Sequence, residues 1–591
     1  MRFFFLFTVF LLTAVRLYPY YSLGATNDSS YKGDFLIPPS PGIDYEPAPV
    51  NSGGSVALIV QSAAVTIRAG GGIGQVNTAS VDGGLSSHTR IAFEGLVLDF
   101  PQNHSFDIGL LPLEFAIRAD IYKNNLAPFG INAGGGLIDF RLPSMFVQKL
   151  AIELSGGSLN EAGLKLLTAL PLPGSQLILG GSITVSQNYY SYIDPSGNPA
   201  WTKNLDFWRY SLIAKWGLAD WNMTAYHTGK AGGAGTKYPG LGRQTDFLTA
   251  ISLGWNSPLV SMQASYQNWV NRFTNSIGMD DTHTGHTLNA SFALHAKPAP
   301  WAWELKAAST TYFLDSTKLG VRWIEDVGLT GGISLAAGGF EFAANLHTIW
   351  RIGAVPVPVP GFSAAWKPAD SLKIYAGISR HYRPPTMNDL YWPYDGYSSG
   401  NTNLTPEDGI ALKGGIVFAG ENLLVTASAG LSGFTSLILW KPDSFGVWSP
   451  GNTGTASAFI AELFAQYLWN SGMWQFRAGA GMSLNRTVNS DEASPYFGKR
   501  VIYTPLYKLT FTSGVSFGKD FSAELAFRAV SERFTDELNA HWLEPYYLLD
   551  LSVRYLFLTV SLNNILNIQY SEQEGYPLPG FNLKAALTFE I

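Results

Sequence analysis

Through most of this chain the side chains change character at every second residue. Trp208, Tyr210, Leu212, Ala214 and Trp216 alternate with Arg209, Ser211, Ile213 and Lys215. Leu288, Ala290, Phe292 and Leu294 alternate with Asn289, Ser291, Ala293 and His295. Trp474, Phe476, Ala478, Ala480 and Met482 alternate with Gln475, Arg477, Gly479 and Gly481. Period two is the repeat of an extended strand, which sends successive side chains to opposite faces. The pattern selects sheet, and leaves open where each face is buried.

A soluble β-sandwich or propeller would wet its polar face and carry much surface charge. A propeller would also repeat at blade length, and no such repeat is visible. Charged residues make up only 14% of the chain, against about 25% in an ordinary soluble domain. Hydrophobic residues reach 46% and aromatics 14%. Yet beyond the N-terminus there is no run of about 18 uncharged apolar residues, as a spanning helix requires. A transmembrane β-barrel reconciles these facts, with alternate residues facing lipid and lumen. Aromatics near strand ends suit the two membrane interfaces. The expected fold is therefore all-β and membrane-embedded. About 450 residues at about 20 per strand give an antiparallel barrel of about 22 strands, a size whose lumen holds a plug.

The N-terminal part reads differently. Residues 1–25 have the form of a secretory signal: Arg2, then the apolar stretch Phe3 to Val15, then small residues up to Ala25. Residues 26–54 carry Pro38, Pro39, Pro41, Pro47 and Pro49 and read as an extended periplasmic leader. Residues 55–142 are glycine-rich short strands, including Gly70-Gly71-Gly72, the hairpin around Glu94-Gly95 and Gly134-Gly135-Gly136. They read as a plug domain, with residues 143–591 as the barrel. The chain has no cysteine, which excludes disulfides, thiolate metal sites and cysteine nucleophiles. A net charge of −6 and the lack of a basic cluster argue against a nucleic-acid partner. The glycine runs are not followed by Lys-Ser/Thr, so they are not phosphate loops. No catalytic constellation stands out, and the expectation is a protein that is not an enzyme.

Glu94-Gly95-Leu96-Val97-Leu98-Asp99-Phe100-Pro101-Gln102, Leu110 to Glu114 and Ala116 to Ile121 are similar to the plug stretch of the TonB-dependent outer-membrane receptors, and the chain most resembles their cobalamin-receptor-like branch. Gly134 to Phe140 looks like its closing segment. In the barrel, Tyr382-Arg383-Pro384-Pro385-Thr386, Asn401 to Leu404 with Pro406-Glu407, and Leu562 to Asn567 follow the family's order. The resemblance implies import of a large scarce nutrient, cobalamin or a ferric siderophore or other metal chelate, across the bacterial outer membrane. It implies as partners a TonB-like inner-membrane energy-coupling protein, outer-membrane lipids and the barrel assembly machinery. The alternative is a plugged structural or adhesion barrel without energised transport. The chain departs from the family in having a short plug N-terminus, no clear TonB box, Glu94 in place of Asp, and Ile591 in place of a terminal Phe. Asp34, Phe35, Leu36 and Ile37 are the best candidate for contact with TonB, as a strand added to a partner sheet.

Ligand-binding candidates follow from chemistry. The segment between Pro385 and Asn401 carries Tyr391, Trp392, Tyr394, Asp395 and Tyr397, a mixture of flat faces and hydrogen-bonding edges. Gln102 and Asn103 are expected at a plug apex beneath them. Asp280, Asp281, His283 and His286 fall within seven residues of what reads as an extracellular loop, where calcium or a transition metal is a possible occupant. No other cofactor is expected. Haem receptors carry a His between the two barrel motifs; here His381 precedes both and none lies between Pro385 and Asn401.

Overall fold

The computed structural model describes residues 45–49 as backbone, and 62–81, 84–100, 102–123, 135–143, 150–194, 196–234, 242–275, 278–442, 446–452 and 454–591. The signal segment, the candidate Asp34 to Ile37 and the stretch 50–61 lie outside the described residues.

Alternation does what period two requires. Twenty-two strands close into one antiparallel barrel, from Leu150–Gly157 to Asn582–Glu590, and the last strand pairs with the first from Lys584↔Gly157 to Glu590↔Ala151. In the strand Phe207–Leu218, Trp208 and Leu212 are exposed on the outer wall while Ser211 and Ile213 are buried inside. The same rule holds in Trp221–Gly233, where Trp221 is exposed and Tyr226, Thr228 and Lys230 are buried. Links at one end are tight turns, such as residues 173–174, 219–220, 338–339 and 472–473. Links at the other end are longer, including 187–206, 384–406, 436–455, 490–506 and 531–545. Outer-membrane barrels keep short turns in the periplasm and long loops outside, which orients the molecule.

Inside the barrel sits a five-stranded mixed sheet in the order Tyr45–Pro49, Arg118–Tyr122, Gly136–Arg141, Thr89–Phe93, Leu96–Leu98. The pair Thr89–Phe93 and Gly136–Arg141 is parallel; the others are antiparallel. Its core is Ile91, Phe93, Ile121, Ile138 and Phe140, all buried. Glu94 and Gly95 form the two-residue hairpin turn, with φ of 55° and 78°, the left-handed pair that such turns demand. The glutamate is held there by Lys215 of the wall at 2.6 Å and by the Leu142 N–H at 2.5 Å. A separate two-stranded sheet, Val65–Ala69 with Asn77–Val81, lies beside it.

One difference from the sequence reading concerns the leader. Residues 45–49 were expected to run unpaired, but they form the edge strand of the plug sheet, with Pro47 opposite Asp120 and Pro49 opposite Arg118. An edge strand needs donors on one side only, so proline is tolerated there.

Ion pairs fix the plug to the wall. Glu94 meets Lys215, Asp107 meets Lys230, and Glu114 meets Arg209 at 2.9 Å. Across the lumen Lys123 meets Glu462 at 3.0 Å and His88 meets Glu407 at 2.8 Å. Hydrogen bonds to plug carbonyls add to these, among them Gln267 to the Val97 carbonyl and Lys508 to the Val65 carbonyl.

Candidate functional site

The outer mouth is organised by the loop 384–406. Its rising strand, Leu372–Arg383, stops at Pro384, because consecutive prolines cannot donate to a ladder. Thr386 then caps a short helix, Met387–Tyr391, in a reciprocal capping box: the Asp389 N–H donates to the threonine hydroxyl at 3.1 Å, and the Thr386 N–H to the Asp389 carboxylate at 3.0 Å. Beyond the helix, Asp395 accepts from the Tyr397 and Ser398 N–H groups and closes a tight turn.

This loop is zipped to the next one. The hairpin Ile438–Pro442 with Trp448–Asn452 belongs to the link 436–455. The Trp448 N–H donates to the Tyr397 carbonyl at 2.7 Å, and the Ser399 N–H to the Trp448 carbonyl at 2.9 Å. Asn452 and Thr405 exchange two further bonds. Trp440 donates its indole N–H to Asp389 at 2.9 Å. Backbone and side-chain bonds thus join the two loops along their described residues.

The sequence-predicted residues separate into two groups here. Tyr391 and Trp392 are half-buried and pack against the apolar cluster shared by plug and wall, which includes fully buried Met387. Arg322 lies over the Tyr391 ring at 4.8 Å, and the Trp392 indole reaches Asp395 at 3.3 Å. Tyr394 and Tyr397 are 70% and 79% exposed and face outward. Trp448, half-exposed on the neighbouring loop, joins them through its backbone bonds to Tyr397. The sequence reading passed over Trp448 and Trp440, since nothing local ties them to a loop 50 residues earlier.

The plug apex lies directly below. The Asn388 N–H donates to the Gln102 carbonyl at 2.8 Å, Gln102 is buried, and Asn103 is exposed with its side chain closing a turn on Ser105. Behind them Asp99 is buried among Arg90 at 2.8 Å, His104 at 2.6 Å and the Tyr312 hydroxyl of the wall at 3.0 Å. Burial alone would raise the Asp99 carboxyl, but Arg90 and His104 together hold it well below the usual carboxylate range. Burial lowers the imidazole of His104, against the pull of Asp99.

The four metal candidates are not brought together. They lie on the strand Asp280–Ala296 rather than in a loop, and alternation divides them between its faces. Asp280 pairs with Arg272 at 2.7 Å and His286 bonds the Tyr266 hydroxyl at 2.8 Å on the outer face. Asp281 reaches Lys318 at 3.5 Å and His283 bonds Ser316 at 2.7 Å on the other. Among the described residues no group of three or more His, Asp or Glu is placed to hold a metal ion.

A closed barrel in the bacterial outer membrane, filled by a folded plug and roofed by an ordered aromatic loop pair, defines a nutrient receptor of that membrane. The family signature described as TonB dependent receptor-like, beta-barrel matches residues 171–568, well over half of the sequence, and the chain belongs to the TonB-dependent receptors. The vitamin B12 transporter BtuB of Vibrio vulnificus (strain YJ016) is 22% identical over 550 residues, covering 86% of this chain and 84% of its own. Among solved structures, the copper transporter OprC superposes with a TM-score of 0.75 at 16% identity, covering 93% of this chain and 99% of its own. The siderophore receptor PirA from Acinetobacter baumannii gives 0.73 at 12% identity, covering 93% and 98%. Both structural likenesses speak for the fold.

Proposed function

We propose that this receptor imports a corrinoid of the cobalamin class, taken up on the face made by Tyr394, Tyr397 and Trp448 above the plug apex. The observation that carries the reading is that these rings stand exposed on a loop pair whose backbone is already hydrogen-bonded together. Rigid aromatic surface binds ring-rich ligands at little ordering cost. Similarity to a vitamin B12 transporter over most of both chains supports the corrinoid. A metal chelate of siderophore type is the second reading: the same hydroxyl-edged surface suits it, and PirA and OprC use this fold.

Import on this reading is energised by a TonB-like inner-membrane protein that takes Asp34 to Ile37 as an added strand. The terminal strand Asn582–Glu590 is the segment that the barrel assembly machinery would recognise. The test is equilibrium binding of purified receptor to cyanocobalamin, a ferric siderophore and haemin. Cyanocobalamin is expected to bind with a Kd of about 1 μM or tighter. Absence of saturable binding by all three favours the structural or adhesion barrel. Deleting Asp34 to Ile37 should abolish uptake of the bound ligand and leave binding intact; unchanged uptake removes that segment from the coupling.

A further inference from the structure

We propose that Glu407 is a positioning residue for import, the joint through which the outer loop pair holds the plug. This rests on the reading that the loop pair receives the ligand. Glu407 opens the strand Glu407–Ala419 and is almost wholly buried. An ionised carboxylate offers about four acceptor positions, and here four donors fill them. Arg383, at the end of the rising wall strand, gives Nη2 to Oε1 at 2.5 Å and Nε to Oε2 at 2.7 Å. The Ile438 N–H, at the base of the outer hairpin, gives to Oε1 at 2.9 Å. His88 of the plug places Nε2 2.8 Å from Oε2. One side chain therefore joins the wall, the outer loops and the plug.

The joint continues on both sides. Toward the loops, Arg383 lies 3.9 Å from Asp389, which caps the helix of the aromatic loop and receives the Trp440 indole. On the plug side, His88 is also held by the wall, its ring stacked on Phe434 of the strand Leu423–Thr435 with centroids 5.7 Å apart. Its carbonyl accepts from Gly135 at 2.8 Å, and the strand that follows it, Thr89–Phe93, is an inner strand of the plug sheet. Lys215, Lys230 and Arg209 bind plug carboxylates to the wall; Glu407 also takes a donor from the loops. A disturbance of the loop pair at Trp440 then reaches the plug at His88. A second direct link, from Asn388 to the Gln102 carbonyl, gives the rival route, and the two end on different plug segments.

Hydrogen exchange on the full chain in detergent micelles separates them without any ligand. His88→Phe keeps the stacked ring and removes the donor. Glu407→Gln replaces one accepting oxygen by an NH2 that faces donors. Each should speed exchange of the amides of 85–93 by about tenfold, while those of 65–69 keep their protection. Trp440→Phe should speed the same 85–93 amides by about threefold in the parent and add nothing in the His88→Phe background, the non-additivity that marks coupled sites. Unchanged 85–93 exchange in His88→Phe overturns the proposal. So does a Trp440→Phe effect that multiplies fully onto His88→Phe, or one confined to 102–106. If Glu407→Gln does not fold, His88→Phe and its double variant decide alone. The ligand reading fails separately, in the binding measurements, which do not depend on exchange rates.

Discussion

At the scale of single residues, Asp99 carries more of the plug apex than its neighbours. It receives Arg90, His104 and, from 213 positions away, Tyr312. Its folded pKa is depressed, so the stability that it contributes is fully present above about pH 4, the unfolded value. That stability is lost as the pH falls from there through the folded pKa. His104 is also depressed, by burial, so protonating it opposes the folded apex from about pH 6.5 downward. Both effects have the same sign, and the plug should loosen progressively from neutral pH toward pH 4, measured as a falling urea midpoint for plug unfolding. Asp99→Asn leaves the partly buried Arg90 guanidinium without its counter-charge and should lower plug stability by about 2 kcal/mol at pH 7, while flattening the pH dependence below about pH 4. A midpoint that does not move with Asp99→Asn would assign the apex to apolar packing alone. The sequence marked this stretch through its resemblance to a plug, but Tyr312 could not be paired with it from spacing along the chain.

At the scale of elements, the outer loop pair divides its aromatics by depth. Tyr391 and Trp392 close the loop onto the plug, so removing them tests folding more than recognition. Replacing Tyr394, Tyr397 and Trp448 together by Ala should weaken cyanocobalamin binding by at least about tenfold, or about 1.4 kcal/mol, with the barrel intact; unchanged affinity would move the ligand off this face. The strands were legible because a half-buried ladder writes its two environments into alternate residues. Which tyrosine of the loop faces inward was not legible, since that depends on where the helix Met387–Tyr391 docks on the plug. Asp280 to His286 misled for a related reason: a polar run looks like a loop, but where strands rise above the bilayer both faces can be polar. The edge strand Tyr45–Pro49 was hidden by its prolines, which mark a linker and an outermost strand equally well.

At the scale of the whole molecule, strand number followed from chain length, and closure followed from the need to leave no unpaired edge in lipid. A closed ladder of this size resists detergent at room temperature, so the receptor should migrate faster unheated than boiled on a denaturing gel; a single position in both lanes would contradict the barrel. What length and alternation could not reveal was how the plug is seated. Toward the strands Phe207–Leu218 and Trp221–Gly233 the plug presents carboxylates, Glu94, Asp107 and Glu114, to cations of the wall. Half a circumference away the plug presents Lys123 to Glu462 and the His88 imidazole to Glu407. Asp107→Lys should unseat the plug and make cells sensitive to a large antibiotic such as vancomycin; continued resistance of this variant would count against it. A plug returning after transport has a compass bearing to follow, because half a turn away from the native azimuth its three acids would lie far from Lys215, Lys230 and Arg209.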